Sequence, residues 1–168
     1  MKLIKRLAVL LLLLSSILTS CKYSFKGISI PPEVDTFFVR QVKLTDFNAP
    51  PDSPERFMDQ FRATIRGQSS LRWNEVTPDI EFVCTINGFR ISNEGTQQGD
   101  EVSLNKLTIS VNVDYINNKI EDDTWNKTFS FGIPFDPSQD LQQVQDDFIE
   151  DIFDQISENI FNEAFTNW

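Results

Sequence analysis

The sequence predicts an α+β fold: a two-layer sandwich in which two helices pack on one face of a four-stranded, mostly antiparallel but mixed sheet. Three observations carry this. In residues 102–116, Leu107, Ile109, Val111, Val113 and Tyr115 alternate with Thr108, Ser110, Asn112 and Asp114. A strict period of two means one buried and one wet face, as in an antiparallel sheet. Two other stretches repeat every three to four residues instead, Phe57-Phe61-Ile65 and Leu141-Val144-Phe148-Ile152-Ile156-Ile160. Those are amphipathic helices. The order along the chain is β-α-β-β-β-α, and a first β-α-β unit that crosses over makes its two strands parallel. The sheet is therefore mixed.

The first strand spans Thr36 to Leu44, where Thr36-Phe37-Phe38-Val39 and Val42 favour extended backbone. Asn48, Pro50 and Pro51 then make a loop. Ser53-Pro54-Glu55 starts a helix running to about Ser69, with a hydroxyl cap, proline in the first turn and an early acid. Met58 flanks its apolar stripe, and Arg62 and Arg66 share a neighbouring face. Leu71 to Pro78 is a connection, with Trp73 and Val76 expected over the core edge.

The second strand, Ile80 to Ile91, sets Ile80, Phe82, Cys84 and Ile86 against Glu81, Val83, Thr85 and Asn87. Cys84 reads as a small core residue, and Gly88 marks a bulge. Asn93 to Asp100 is a polar loop ahead of the third strand, Val102 to Ile116. Asn117-Asn118-Lys119 is turn chemistry. The fourth strand, Asp123 to Gly132, places Trp125, Phe129 and Phe131 opposite Thr124, Asn126, Thr128 and Ser130. Asp136-Pro137-Ser138-Gln139 opens the last helix. Ile149, Phe153, Phe161, Phe165 and Trp168 widen its stripe, and acids cover its other face.

Upstream, Met1 to Arg6 is cationic and Leu7 to Leu18 almost wholly apolar, the pattern of a secretory leader. The apolar run is too short to span ~30 Å of hydrocarbon. Leu18-Thr19-Ser20-Cys21 resembles the lipobox of bacterial lipoproteins. That resemblance implies cleavage between Ser20 and Cys21 and acyl groups, palmitate among them, on Cys21. Acyl chains hold a protein on a membrane at ~0.8 kcal/mol per buried CH₂. The expected division is 1–20 signal peptide, 21–35 lipidated leader segment and 36–168 one α+β domain. Tyr23, Phe25, Ile28 and Ile30 are apolar enough for the leader to run along the domain, and Pro31-Pro32 stops it.

The signal peptide holds Lys2, Lys5 and Arg6 of the 15 basic residues and none of the 25 acidic ones. Beyond residue 20 there remain 12 against 25, a net charge of −13. Such a chain does not bind nucleic acid through a general basic field. With Cys21 acylated, Cys84 is the one remaining thiol, so no intrachain disulfide forms. The chain has no histidine, the usual general base near neutrality. No nucleophile elbow, Walker loop or Cys/His metal set appears. Asp100-Glu101 and Glu121-Asp122-Asp123 read as solvated turns. The sequence thus predicts no enzyme, no metal site and no cofactor beyond the acyl groups on Cys21.

After the lipobox, Tyr23-Ser24-Phe25-x-Gly27-x-Ser29-Ile30-Pro31-Pro32 resembles the opening of the LptE family of lipopolysaccharide-assembly lipoproteins. Pro78-Asp79-Ile80 through Phe89, Leu107-Thr108-Ile109-x-Val111, and the tail from Asp151-Ile152 through Ile160-Phe161-Asn162-x-Ala164 to Asn167-Trp168 are similar as well. The resemblance implies the two-helix, four-strand fold and a lipid anchor on the periplasmic face of the outer membrane. It implies that the protein plugs a β-barrel of LptD type, aids its assembly, and helps lipopolysaccharide reach the outer leaflet. It also makes lipopolysaccharide a candidate ligand, since basic residues of some members contact it. The alternatives are an envelope lipoprotein that binds a small apolar ligand and a non-catalytic scaffold of another envelope complex.

A plug must offer a polar surface to a barrel lumen. The candidate partner face is the wet side of the sheet: Thr108, Ser110, Asn112 and Asp114 with Thr124, Asn126, Thr128 and Ser130.

Overall fold

The alternating stretch becomes an interior strand of the sheet, paired along its length on both sides. The computed structural model describes residue 27, residues 29–94 and residues 104–166. The signal peptide, Cys21, Tyr23, Phe25, Ile28, Asp100-Glu101 and Trp168 lie outside the described residues. In chain order the elements are β1 (Thr36–Val39), β2 (Lys43–Leu44), α1 (Ser53–Gln68), β3 (Arg72–Trp73), β4 (Ile80–Glu94), β5 (Leu104–Asn117), β6 (Trp125–Phe135) and α2 (Leu141–Phe165). The sheet order is β3-β1-β4-β5-β6, with β2 also on β4. β1 and β2 run parallel to β4, and β4-β5-β6 is an antiparallel meander. The expected α+β sandwich with a mixed sheet is what forms.

Two local slips keep the apolar side chains on one face. The five residues from Val39 to Lys43 run beside the four from Phe82 to Thr85, so the first strand breaks in two. The extra residue puts Leu44 on the same face as Val39. On β4, the register shifts between Ile86 and Gly88, leaving Asn87 extra. Ile80, Phe82, Cys84 and Ile86 are inward before it and Phe89 after it. A one-residue slip otherwise flips every later side chain. Asp46 closes the gap beyond β2, accepting the Phe89 N–H at 2.8 Å.

Both helices lie on the inward face. Phe57 meets Phe153 edge-on at 5.2 Å, Phe61 meets Phe82 at 4.9 Å, and Phe165 meets Phe82 at 6.4 Å. Ile152, Ile156 and Ile160 of α2 and Leu107, Val111 and Val113 of β5 have no exposed surface. Arg56 bonds Asp146 at 2.9 Å and Gln60 bonds Asp154 at 2.6 Å, joining the helices at their solvent side. The Ser29 N–H donates to the Phe165 carbonyl at 2.7 Å, and Ile30 packs against the core.

Several local expectations change. Asp52, not Ser53, is the N-cap of α1 and makes no side-chain cap bond. Ser53 falls inside the first turn, buried, with its hydroxyl unpaired. Asp136 and Ser138 form their own turn, Asp136 Oδ1 accepting both the Ser138 N–H at 2.8 Å and its hydroxyl at 2.6 Å. That turn uses the capping oxygen, so α2 starts later, capped by Asp140 through the Gln142 N–H at 3.1 Å. Trp73 packs as expected, edge-on to Phe37 and Phe38, with the Arg62 guanidinium 3.8 Å from a ring centroid. Val76 instead projects outward, 87% exposed. Asn74 holds that turn away from the core, accepting the Val76 and Thr77 N–H groups. Arg72–Trp73 adds a two-residue edge strand beside β1.

Candidate partner-docking face

The outer face of β4-β5-β6 has no layer over it among the described residues. The register sets Ser110 against Ser130, Asn112 against Thr128 and Asp114 against Asn126. The side chains answer one another across these pairs. Ser110 and Ser130 hydroxyls are 2.7 Å apart. The Asn112 amide donates to Asn126 Oδ1 and Thr128 Oγ1, both at 3.1 Å. Asn126 donates back to Asn112 Oδ1 at 3.1 Å and also to the Asp114 carboxylate. Cross-strand pairs of this kind hold side chains in register. Seven of the eight predicted positions thus form one continuous polar surface. Thr124 stands just outside it, before β6, where its hydroxyl accepts the Asn117 N–H at 3.4 Å.

Two glycines keep this surface low. A Cβ on Gly132 would sit 2.6 Å from Thr108 Oγ1 and 2.9 Å from Lys106 Cε; one on Gly88 would sit 3.0 Å from Ser110 Cβ. Each glycine lies beside a β5 side chain and lets it fold over the neighbouring strand.

Charge is distributed unevenly between the layers. The outward positions include Lys43 opposite Thr85, Arg90 opposite Thr108, and Lys106, which follows Arg90 toward the hairpin tip. Arg40 bonds Glu81 at 2.7 Å. The Glu81 carboxyl, pushed up by burial, is pulled below its ordinary value overall by Asn118 and Arg40. Helix α2, on the opposite layer, carries Asp146, Asp147, Glu150, Asp151, Asp154, Glu158 and Glu163 and no basic residue. The −13 average therefore conceals a basic contribution on the sheet side.

The structure also brings together residues that no motif singled out. Asp79 Oδ2 accepts the Asp35 N–H at 3.0 Å, the Thr36 N–H at 2.9 Å and the Thr36 hydroxyl at 2.8 Å; Lys119 lies 3.1 Å from Oδ1. Burial raises this carboxyl, and those donors more than offset it, bringing its pKa to about 2. Buried Asn117 organises the β5–β6 turn, donating to Asp123 at 2.9 Å and accepting the Lys119 and Ile120 N–H groups. Burial, and then Asp123, push the Tyr115 hydroxyl up. Burial does the same to the Cys84 thiol, as its core position requires. Among the described residues, no cluster of three Asp, Glu, Cys or His side chains could hold a metal ion. The described helices include none long and apolar enough to cross a membrane.

Fold and face define a class: a helix-backed sheet module that leaves one ordered polar face open. The profile of the LptE lipopolysaccharide-assembly family matches residues 39–164, and the chain belongs to that family. At family level it is a lipopolysaccharide-assembly lipoprotein, and the family is non-catalytic. Solved structures share the fold at low identity. A minor lipoprotein from Acinetobacter baumannii is 8% identical, with a TM-score of 0.50 over 76% of this chain and 91% of that one. A hypothetical protein from Chlamydia trachomatis is 9% identical, with a TM-score of 0.55 over 80% and 99%. A protein from Xanthomonas campestris is 13% identical, with a TM-score of 0.55 over 82% and 89%. No curated protein matches the chain.

Proposed function

We propose that this protein is an outer-membrane lipoprotein, anchored through acyl groups on Cys21 after cleavage at Ser20, that seats in the lumen of an LptD-type β-barrel from the periplasmic side. It plugs the barrel, assists its assembly and thereby supports passage of lipopolysaccharide to the outer leaflet. The observation that carries this reading is the bonded polar face formed by Ser110, Asn112, Asp114, Asn126, Thr128 and Ser130. Barrel lumens are polar and water-lined. A face of short hydroxyl and amide side chains approaches such a wall closely without stranding many charges. Arg90 and Lys106, toward the hairpin tip of the same face, are the cations best placed for the phosphates of lipopolysaccharide.

A small apolar ligand has less in its favour. The space between the layers is filled by Phe57, Phe61, Phe82, Phe153 and Phe161, all essentially without exposure.

Photo-crosslinkers at Ser110 and Asn126, compared with one at Glu150 on α2, test the docking face in cells. The expected result is barrel adducts from the two strand positions and none from Glu150. Adducts from Glu150 alone would move the interface to the helix layer and overturn this reading.

A further inference from the structure

The two edges of the sheet are finished differently. On one side the edge strands β2 and β3 are two residues each, and each carries a cation, Lys43 or Arg72. Short strands and basic residues are the usual guards against unwanted pairing. The other edge is β6, eleven residues long. Its single charge, Lys127, is tied to Glu163 of α2. From Thr128 to Ile133 the edge has neither charge nor proline. Trp125 and Phe129 are half-buried and Phe131 is 36% exposed, so the apolar side of this edge is incompletely covered.

The register shows which backbone groups of β6 lack a ladder partner among the described residues. Phe82 and Ile86 give their carbonyls to Arg40 and Thr45 on the far side of β4. Val83 and Thr85, between them, therefore bond across to Asp114 and Asn112. Ile109 and Val111 then face β6 and bond Phe131 and Phe129. That leaves Asn126, Thr128, Ser130 and Gly132 directing N–H and C=O away from the sheet. Pro134 continues the same series, at the kind of edge position where a missing N–H forfeits no ladder bond.

We propose that the free edge of β6 takes an extended segment of the barrel partner, added as a further strand on the backbone of Asn126, Thr128, Ser130 and Gly132. This rests on the docking reading above, since the same residues supply Asn126, Thr128 and Ser130 to the outer face. A closed barrel wall has no free strand edge to offer, so the segment is a stretch of that chain outside its wall. It sets apolar side chains beside Phe129 and Phe131 and short polar ones beside Thr128 and Ser130. It carries basic rather than acidic residues toward α2, which runs along β6 with Phe148 against Phe135 and Glu163 against Lys127. The same helix argues against a second copy as the occupant. Edge-to-edge pairing would bring two α2 helices together, each with seven acids and no cation.

Amide hydrogen exchange tests this on the detergent-solubilised complex of the full-length lipoprotein with its barrel, against the lipoprotein alone. The expected result is fast exchange at Thr128, Ser130 and Gly132 in the free protein and at least about tenfold slowing in the complex, with Phe129 and Phe131 protected in both. In parallel, Ser130→Pro removes one outward donor and Ser130→Ala only the hydroxyl. Ser130→Pro should lower recovery of the barrel about tenfold below that seen with Ser130→Ala, which isolates the loss of the face hydroxyl. Unchanged exchange at the outward amides, with Ser110 still crosslinking to the barrel, would overturn the added strand and leave the docking face standing. Concentration-dependent protection of the lipoprotein alone would assign the edge to a second copy and overturn the proposal. If no barrel is recovered with the wild-type protein, both readings fall.

Discussion

Thr36 and Asp79 hold each other twice over: the threonine hydroxyl donates to the Asp79 carboxylate at 2.8 Å and accepts the Asp79 N–H at 3.0 Å. The pair fixes the start of β1 to the start of β4. The Asp79 pKa falls from 3.8 to about 2 in the folded chain. A carboxyl depressed on folding stabilises the protein above its unfolded pKa and loses that contribution as pH falls through the folded one. Asp79→Asn should therefore lower stability at neutral pH by about 1–2 kcal/mol, allowing for partly solvated donors such as Lys119. Urea titrations of both proteins should show the difference shrinking between about pH 4 and pH 2. A gap that persists unchanged at the acid end would exclude the ionised carboxylate as its source.

Ile152 lies at the centre of the interlayer core with no exposed surface, whereas Phe148, one turn earlier, is half-buried. Ile152→Ala should destabilise by ~2–5 kcal/mol. Phe148→Ala should lose less than half as much despite removing more atoms. Denaturant midpoints decide it, and a loss below about 0.5 kcal/mol at Ile152 would mean that this helix face is not core.

The glycines predict opposite signs. A methyl group on Gly132 meets Thr108, Lys106 and the Leu107 carbonyl within 3.1 Å, while one on Gly67, in the last turn of α1, meets nothing within 4 Å. Gly132→Ala should destabilise by about 1–3 kcal/mol. Gly67→Ala should raise stability by about 0.5–1 kcal/mol through helix propensity. Thermal midpoints moving the same way in both variants would contradict this.

Anchoring is tested at Cys21. Cys21→Ser should abolish labelling by a fatty-acid analogue and leave an uncleaved or soluble form. Labelling and membrane fractionation unchanged from wild type would rule out this residue as the anchor.

What the sequence disclosed follows from how local each signal is. The period-two run of β5 and the stripe of α2 declare their buried faces directly, because each side chain's direction depends only on its neighbours. The outer face was legible for the same reason, in seven of eight positions. Gly88 betrayed the β4 bulge, but no residue type marked the break at Arg40–Val42, since the slip answers to the register of β4, some forty residues away. The helix starts misled because a proline with a nearby hydroxyl and acid serves a tight turn as well as a cap; Asp136 used its oxygen on Ser138. The Thr36–Asp79 pair was invisible, since it joins two ordinary residues 43 positions apart.

The parallel pairing of β1 with β4 also bears on how the molecule carries force. A pull on the leader reaches Ser29 and the Phe165 carbonyl first, then Thr36 at the head of β1. From there it runs along the strand, against β3 on one side and β4 on the other. Hydrogen bonds loaded along a strand resist together, whereas bonds loaded at a free end break in succession. The arrangement makes the attachment of the leader a joint in shear, and tension on it is shared along β1 and its neighbours before any strand can be peeled away.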